Sequence, residues 1–336
     1  MGGGTGLSTL LRGLRRHVAA AGQSAGESPA ISDLAAVVTV TDDGGSSGRL
    51  RQDFNMLPPG DLRNCMVALS EEEDLLSRLF THRFRSGDGL KGHNFGNLFV
   101  AALTEITGDF AQAVQLSSKI LATRGRIYPA TTANTTLVAL MDDGELVRGE
   151  TNITASRKRI VELMLDPPNP SPLPETLDAI ERADLISVGP GSLYTSLITN
   201  VLVDGIPSAL ASARGLRVYI CNLMTQANES LGLAASEHIE RIYDHTRAPI
   251  FDCALVNTAP FSNETLARYA AEDASPIVPD IERIQALGVK CITGNFASEE
   301  TVVRHAAARV TNALLALGQS HSTQRDSTGS GSGEPI

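Results

Sequence analysis

Asp42 and Asp43 close an apolar run and open the loop Gly44-Gly45-Ser46-Ser47-Gly48, so two carboxylates stand beside a stretch of small residues. Glycine and serine in that pattern let backbone N–H groups approach a phosphate. Two carboxylates at such a place repel an anion unless something neutralises them. A Mg²⁺ ion bridging carboxylate and phosphate oxygens does so, which makes Asp42 and Asp43 candidate metal ligands. Acceptance of a hydrogen bond from a sugar hydroxyl or a base N–H is a second reading. A third is structural: an Asx turn and helix cap, with Asp, Ser46 and Ser47 satisfying the donors of a helix at 49–55.

Two further junctions repeat the chemistry. Gly2-Gly3-Gly4-Thr5-Gly6 runs straight into a helix-like stretch from Leu7 to Ala21. Gly3, Gly4, Thr5 and Gly6 can thus present N–H groups at the positive end of a helix dipole. The alternative for the glycines alone is a flexible N-terminus. Leu185-Ile186-Ser187-Val188 reads as a short strand, and Gly189-Pro190-Gly191-Ser192 leads from it into the helical SLYTSLI. Gly189, Gly191 and Ser192 join the candidates, as do Asn222 and Thr225 in the NLMTQ segment after a strand at 217–222.

General acid–base or nucleophilic chemistry needs a side chain near the phosphates. The candidates are Asp42, Asp43 and His93, and the sequence singles out none of them. His93 lies in Gly92-His93-Asn94-Phe95-Gly96-Asn97, where Asn94 and Asn97 can meet a ligand or cap the helix that follows. Asp61, Arg63 and Asn64 form a polar trio at another helix start, readable as a cap with an ion pair. Among the arginines, Arg49 and Arg51 have the strongest claim on phosphate, since they leave the Asp42–Gly48 loop.

The elements that must position these groups alternate. Leu34 to Thr41 is a buried, β-branched strand, and helices are expected near 59–70, 73–84, 94–107 and 109–122. Residues 136–151 read as a hairpin around Asp143-Gly144 and 159–166 as a strand, followed by a loop with five prolines between Pro167 and Pro174. Strands are then expected at 184–188, 217–222, 251–257 and 289–293, and helices near 175–182, 192–199, 231–246, 263–273 and 299–317. This alternation predicts an α/β fold with a doubly wound, mostly parallel sheet and a small β-hairpin insertion. Residues 1–317 form one nucleotide-binding domain in this reading. Residues 318–336, rich in Ser, Thr, Gly and Gln, form a disordered tail. In such a sheet ligands bind outside the carboxyl ends of the strands, at the switch point, where the glycine-rich junctions converge. One expectation concerns the start. Phosphate loops of this type follow a buried strand, so an apolar strand encoded upstream of Met1 is expected to raise stability and tighten binding.

Composition sets bounds. The chain has 336 residues, 42% hydrophobic, with a formal net charge of −10. That charge argues against non-specific nucleic-acid or anionic-membrane binding. No apolar run approaches a membrane span of about 18–20 residues, and the start does not read as a signal peptide. Cys65, Cys221, Cys253 and Cys291 form no CxxC pair, against a structural zinc and in favour of reduced thiols in a cytoplasmic protein. No G-x-G-x-x-G follows a strand with an acidic residue about 20 positions on, so a dinucleotide-dependent dehydrogenase is disfavoured.

In order along the chain, GGGTGLSTLLRGLR, TVTDDGGSSGRLR, LPPGDLRNCMVALS, GHNFGNL, GPGSLYTSLITN and NLMTQ resemble the bacterial gluconeogenesis-factor family. That family is related to the 2-phospho-lactate transferases of deazaflavin-cofactor biosynthesis, and the likeness spans about residues 2 to 317. The resemblance implies a Rossmann-like, CofD-like fold with a nucleotide-phosphate crevice. It also implies a cytoplasmic role coupling carbon metabolism to cell-wall morphogenesis and cell shape. Family members are described as binding UDP-sugars, so the resemblance implies UDP-N-acetylglucosamine as ligand; cell-wall or metabolic protein partners and a homo-oligomer are left open. The related transferases move a phospholactyl group from a guanosine diphosphate donor onto a deazaflavin acceptor with Mg²⁺, and an aspartate at the place of Asp43 contacts the acceptor. They lack the full DDGGSSG, so the resemblance places this chain on the regulator side, with a Mg²⁺-dependent transferase as the alternative. By the same resemblance Tyr269 stacks on the uracil ring and Arg304 meets phosphate oxygens.

Overall fold

The computed structural model of the chain describes residues 1–19, 30–71, 75–156, 158–226 and 229–329. Its strands are β1 (Ala35–Val38), β2 (Arg126–Pro129), β3 (Thr136–Met141), β4 (Leu146–Arg148), β5 (Ile160–Asp166), β6 (Leu185–Val188), β7 (Leu216–Ile220), β8 (Cys253–Asn257), β9 (Lys290–Gly294), β10 (Ala297–Glu299) and β11 (Val303–His305). β6, β7, β8 and β9 lie side by side in that order, all parallel, and β1 pairs parallel with β2.

Met1 and Gly2 bridge the two parallel groups. The Gly2 N–H donates to Val37 O at 3.1 Å and the Thr39 N–H donates to Gly2 O at 3.1 Å. On the other side the Met1 amine donates to Ser187 O at 2.5 Å, and the Gly189 N–H donates to Met1 O at 2.9 Å. Burial pushes that amine down to about 5. The parallel order is therefore β2, β1, Met1–Gly2, β6, β7, β8, β9. The chain starts in the middle and winds outward on both sides, which is the doubly wound arrangement. Its switch point lies between Met1–Gly2 and β6.

The strands are apolar because helices cover both faces. Val218 and Ile220 of β7 pack with Leu10, Leu14, Val310 and Leu314, while Tyr219 faces the opposite core with Leu193, Ile239 and Ile242. The helix Gly4–Arg15 buries Leu7, Leu10, Leu11 and Leu14, one stripe at helical spacing. At Gly13 it crosses the C-terminal helix Ala307–Gly329 so closely that an added Cβ would lie 2.4 Å from Thr311 Oγ1. The expected hairpin is β3–β4, and β5 pairs antiparallel along the other edge of β3 to complete a three-stranded insertion.

The structure departs from the sequence reading in several places, among them three that bear on the site. β2 was not expected: it is four residues long and ends in Pro129. The helix expected from 299 begins only at Ala307. Residues 297–305 instead form the antiparallel ribbon β10–β11, held by Ser262, whose N–H and hydroxyl both donate to Glu299 Oε2. Finally, the C-terminal helix continues to Gly329, so residues 318–329 are helical rather than a disordered tail, and 330–336 lie outside the described residues. The first helix ends at Arg15 rather than at 21, and of the expected helix positions, 20–21 and 73–74 lie outside the described residues.

Gly318 tests that helix extension. An added Cβ meets only Leu185 Cδ1 at 3.7 Å, an ordinary contact. Gly318→Ala should therefore stabilise the chain by about 0.5–1 kcal/mol, the helix-interior difference between the two residues. A denaturant midpoint that does not move would show that the helix stops earlier.

Candidate functional site

A crevice of about 500 Å³ opens at the switch point, within the ~300–1,000 Å³ of small-molecule sites. One wall is the first junction, Gly3 to Gly6, and the second is Pro190-Gly191-Ser192 with Ser196. The third is the end of β7, Asn222 to Gln226, and the fourth is formed by Tyr269, Glu272 and Val302 to His305. Ten of the expected site residues meet here: Gly3, Gly4, Thr5, Gly6, Gly191, Ser192, Asn222, Thr225, Tyr269 and Arg304.

The glycines are needed because two loops cross. A Cβ on Gly6 would lie 2.5 Å from Pro190 O, and one on Gly3 would lie 2.6 Å from Thr39 Cγ2. Gly4 takes φ +62, the left-handed region that glycine occupies at no steric cost. Its N–H donates to Asp61 Oδ2 at 2.7 Å. The N–H groups of Thr5 and Gly6, next in the first helical turn, are those an anion in the crevice can reach.

The ribbon that carries Arg304 is fixed by its neighbours. Tyr269 Oη accepts from the Val303 N–H at 2.9 Å, and Arg268 donates to Glu300 O at 3.1 Å. Beside Arg304, His305 Nε2 donates to Cys221 O at 3.0 Å. Burial lowers the His305 pKa to about 4, so the ring is neutral at physiological pH. Gln226 Nε2 donates to Ser192 Oγ at 3.0 Å, tying the second wall to the third. Thr225 lines the crevice while its hydroxyl accepts from the Ser275 N–H at 2.9 Å.

The remaining expected residues do not line this crevice. Gly189 lies behind it at the end of β6, with φ +97 and an added Cβ 2.9 Å from Ile220 O. Ser46, Ser47, His93 and Asn94 form a separate buried polar cluster. Ser46 Oγ pairs with His93 Nδ1 at 3.2 Å and accepts from the Asn94 N–H at 3.2 Å, and Asn97 Nδ2 donates to Ser47 Oγ at 3.4 Å. Asn94 also caps its helix, accepting from the Asn97 N–H. Burial, with Arg49 beside it, lowers the His93 pKa. Arg49 donates to Lys91 O, and Arg51 to Thr135 O and Asn134 Oδ1, so both brace neighbouring segments.

Between the two clusters lies a group of carboxylates. Asp42 Oδ1 accepts from the Gly44 N–H at 2.9 Å, an Asx turn. Asp43 Oδ1 accepts from the Thr151 N–H at 2.8 Å and its hydroxyl at 2.6 Å, capping the helix Glu150–Ala155 rather than its own. An added Cβ on Gly60 would lie 3.0 Å from Asp42 Oδ2. Burial pushes Asp61 up to about 6 and Glu229 up to about 7. Burial, with Asp42 and Asp61 next, pushes Glu150 up to about 9.

Among the described residues no group of three or more His, Cys, Asp or Glu side chains is placed to hold a metal ion. Asp42 and Asp43 also direct one oxygen each to a different backbone partner. These residues do not fit a protein-built magnesium cage, and a cation here would take most of its coordination from ligand oxygens.

The CofD family, described as 2-phospho-L-lactate transferase CofD, matches residues 1–297. The chain belongs to the CofD family. Relatives within it carry a further name: proteins from Halalkalibacterium halodurans and Bacillus subtilis, both called gluconeogenesis factor, are 46% identical over 315 residues and 44% over 317. Each alignment covers 94% of this chain, with 94% and 96% of the relative. A crystal structure of a UPF0052-family protein from Bacillus halodurans has a TM-score of 0.87 at 47% identity, covering 94% of this chain and 97% of that one. The CofD match includes both glycine junctions and the carboxylate group, and ends before Arg304 and His305. As for membranes, no helix among the described residues is long and apolar enough to cross one.

Sequence reasoning missed His305 in the crevice lining and Glu150 in the carboxylate group with Asp42 and Asp61. His305 sits in an apparently helical VVRHAAARV, and only the ribbon turns it inward. Glu150 follows a hairpin and carries no motif. Gln226 was within the NLMTQ segment but looked like any polar loop residue.

Proposed function

We propose that this chain is a UDP-sugar-binding regulator that acts in the cytoplasm on cell-wall morphogenesis and cell shape during gluconeogenic growth. UDP-N-acetylglucosamine is its foremost ligand. The observation that carries the reading is the switch-point crevice, where two glycine junctions face the Tyr269–Arg304 wall. Backbone N–H groups at one side and a guanidinium at the other suit a diphosphate, and the aromatic ring suits a base. The lining carries one carboxylate, Glu272, against one arginine, Arg304.

Arg304→Ala should weaken UDP-N-acetylglucosamine binding about tenfold or more, the loss of a hydrogen bond to a charged group. Tyr269→Ala should cost about 1–3 kcal/mol if it removes one base stack. Because the Tyr269 hydroxyl also holds Val303, Tyr269→Phe separates the two roles: it keeps the ring and gives up the anchor. Wild-type affinity in folded Arg304→Ala and Tyr269→Ala proteins would place the nucleotide elsewhere.

A second reading, a Mg²⁺-dependent transferase using a nucleoside diphosphate donor, draws on the family relation and on the carboxylate group behind Gly3 and Gly4. Release of nucleotide from such a donor, dependent on Mg²⁺ and lost in Asp42→Asn, would favour it over the regulator.

A further inference from the structure

Three acceptor atoms on the third and fourth walls of the crevice have no hydrogen-bond partner among the described residues. Cys221 O can only accept, so the bond from His305 Nε2 fixes the imidazole proton on that nitrogen. The lone pair of Nδ1 is then left without a hydrogen-bond partner among the described residues. Next along the chain, Asn222 Oδ1 is buried and unpartnered, and so is Gln226 Oε1. All three residues line the crevice.

These groups share a chemistry. A neutral imidazole lone pair and two carboxamide oxygens repel phosphate, and each calls for a donor. A uracil ring offers a single imide N–H. Paired hydroxyls offer two donors side by side and can accept from an amide N–H₂ as well, so they satisfy a carboxamide in either orientation. Leaving such groups unpaired under a bound ligand costs about as much as a lost hydrogen bond each.

Resting on the nucleotide-sugar reading above, we propose that His305, Asn222 and Gln226 read ligand hydroxyls, those of the ribose or of the pendant sugar, while Arg304 and the glycine junctions take the phosphates. The low pKa of His305 keeps its acceptor open across the physiological range.

The test compares three ligands by calorimetry: UDP-N-acetylglucosamine, UDP and 2′-deoxyuridine diphosphate. It uses wild type and two variants, His305→Phe and Asn222→Leu, each checked for a wild-type melting profile. Loss of one hydrogen bond predicts a fall of about three- to tenfold in one affinity ratio. If the wall reads ribose, the preference for UDP over the deoxy form collapses. If it reads the pendant sugar, the preference for the UDP-sugar over UDP collapses. His305→Asn, which returns a hydrogen-bonding group near the Nδ1 position, should recover part of the lost ratio. A variant that weakens all three ligands equally, or none, overturns the proposal by showing that His305 only anchors Cys221. Failure of the wild-type chain to bind any of the three would instead overturn the nucleotide-sugar reading itself, and the hydroxyl-reading wall with it.

Discussion

Gly6→Ala should eliminate measurable nucleotide-sugar binding and also destabilise the fold. The new methyl would lie 2.5 Å from Pro190 O and 2.8 Å from the Pro190 carbonyl carbon, and both are backbone atoms. Neither is the end of a flexible side chain, so the two junctions must move apart. Overpacking of this kind costs about 1–3 kcal/mol. The same movement displaces the Thr5 and Gly6 N–H groups from the Gly191–Ser192 wall. Gly318→Ala, a glycine with room around it, is the matched control. A Gly6→Ala protein that melts and binds like wild type would mean that the loops do not cross as described.

Glu150→Gln should raise stability in alkaline solution and leave it nearly unchanged in acid. The carboxyl's pKa rises from an ordinary 4.5 to about 9 in the folded chain, through burial and then through Asp42 and Asp61. Between those values the unfolded chain releases the proton while the folded chain keeps it. Stability from this group is thus fully present below about pH 4.5 and is lost as pH climbs toward 9. A neutral glutamine has no such loss. At about 1.4 kcal/mol per unit, the gain at pH 8 is on the order of a few kcal/mol. It would be read as a higher melting temperature at pH 8 and near-identity at pH 4.5. Asp61 and Glu229 act in the same direction over narrower windows, up to about 6 and 7. An equal or lower melting temperature of Glu150→Gln at pH 8 would show that the carboxyl is not held in this low-dielectric, acidic surrounding.

The parallel strands other than β2 were legible because they are short, apolar and set off by turn residues. LAAVVTVT, LISV and CALVN could hardly be anything else in an alternating chain. The hairpin was legible from Asp143-Gly144, whose turn chemistry is local. What escaped was decided by partners far away in sequence. β2 is a strand because β1 offers it a ladder. The ribbon at 297–305 overrides helix-forming residues because Ser262 and Tyr269 grip it from a neighbouring segment. Glycine-rich junctions announce a crevice, but spacing alone could not tell which of them meet. The structure brings Gly3–Gly6, Gly191–Ser192 and the NLMTQ segment together, and sets the Asp42–Gly48 loop behind them. Asp43 illustrates the limit: in the sequence it looks like a ligand to a metal or a cap of the next helix, and it caps a helix more than a hundred residues away.

The central claim, that the switch-point crevice holds a UDP-sugar, is tested most directly by titration calorimetry of the wild-type chain with UDP-N-acetylglucosamine, GDP and NAD, each with and without Mg²⁺. Saturable binding of UDP-N-acetylglucosamine, clearly tighter than either of the others, is the predicted result. Equal or tighter binding of NAD or GDP, or no UDP-sugar binding in either buffer, would contradict it.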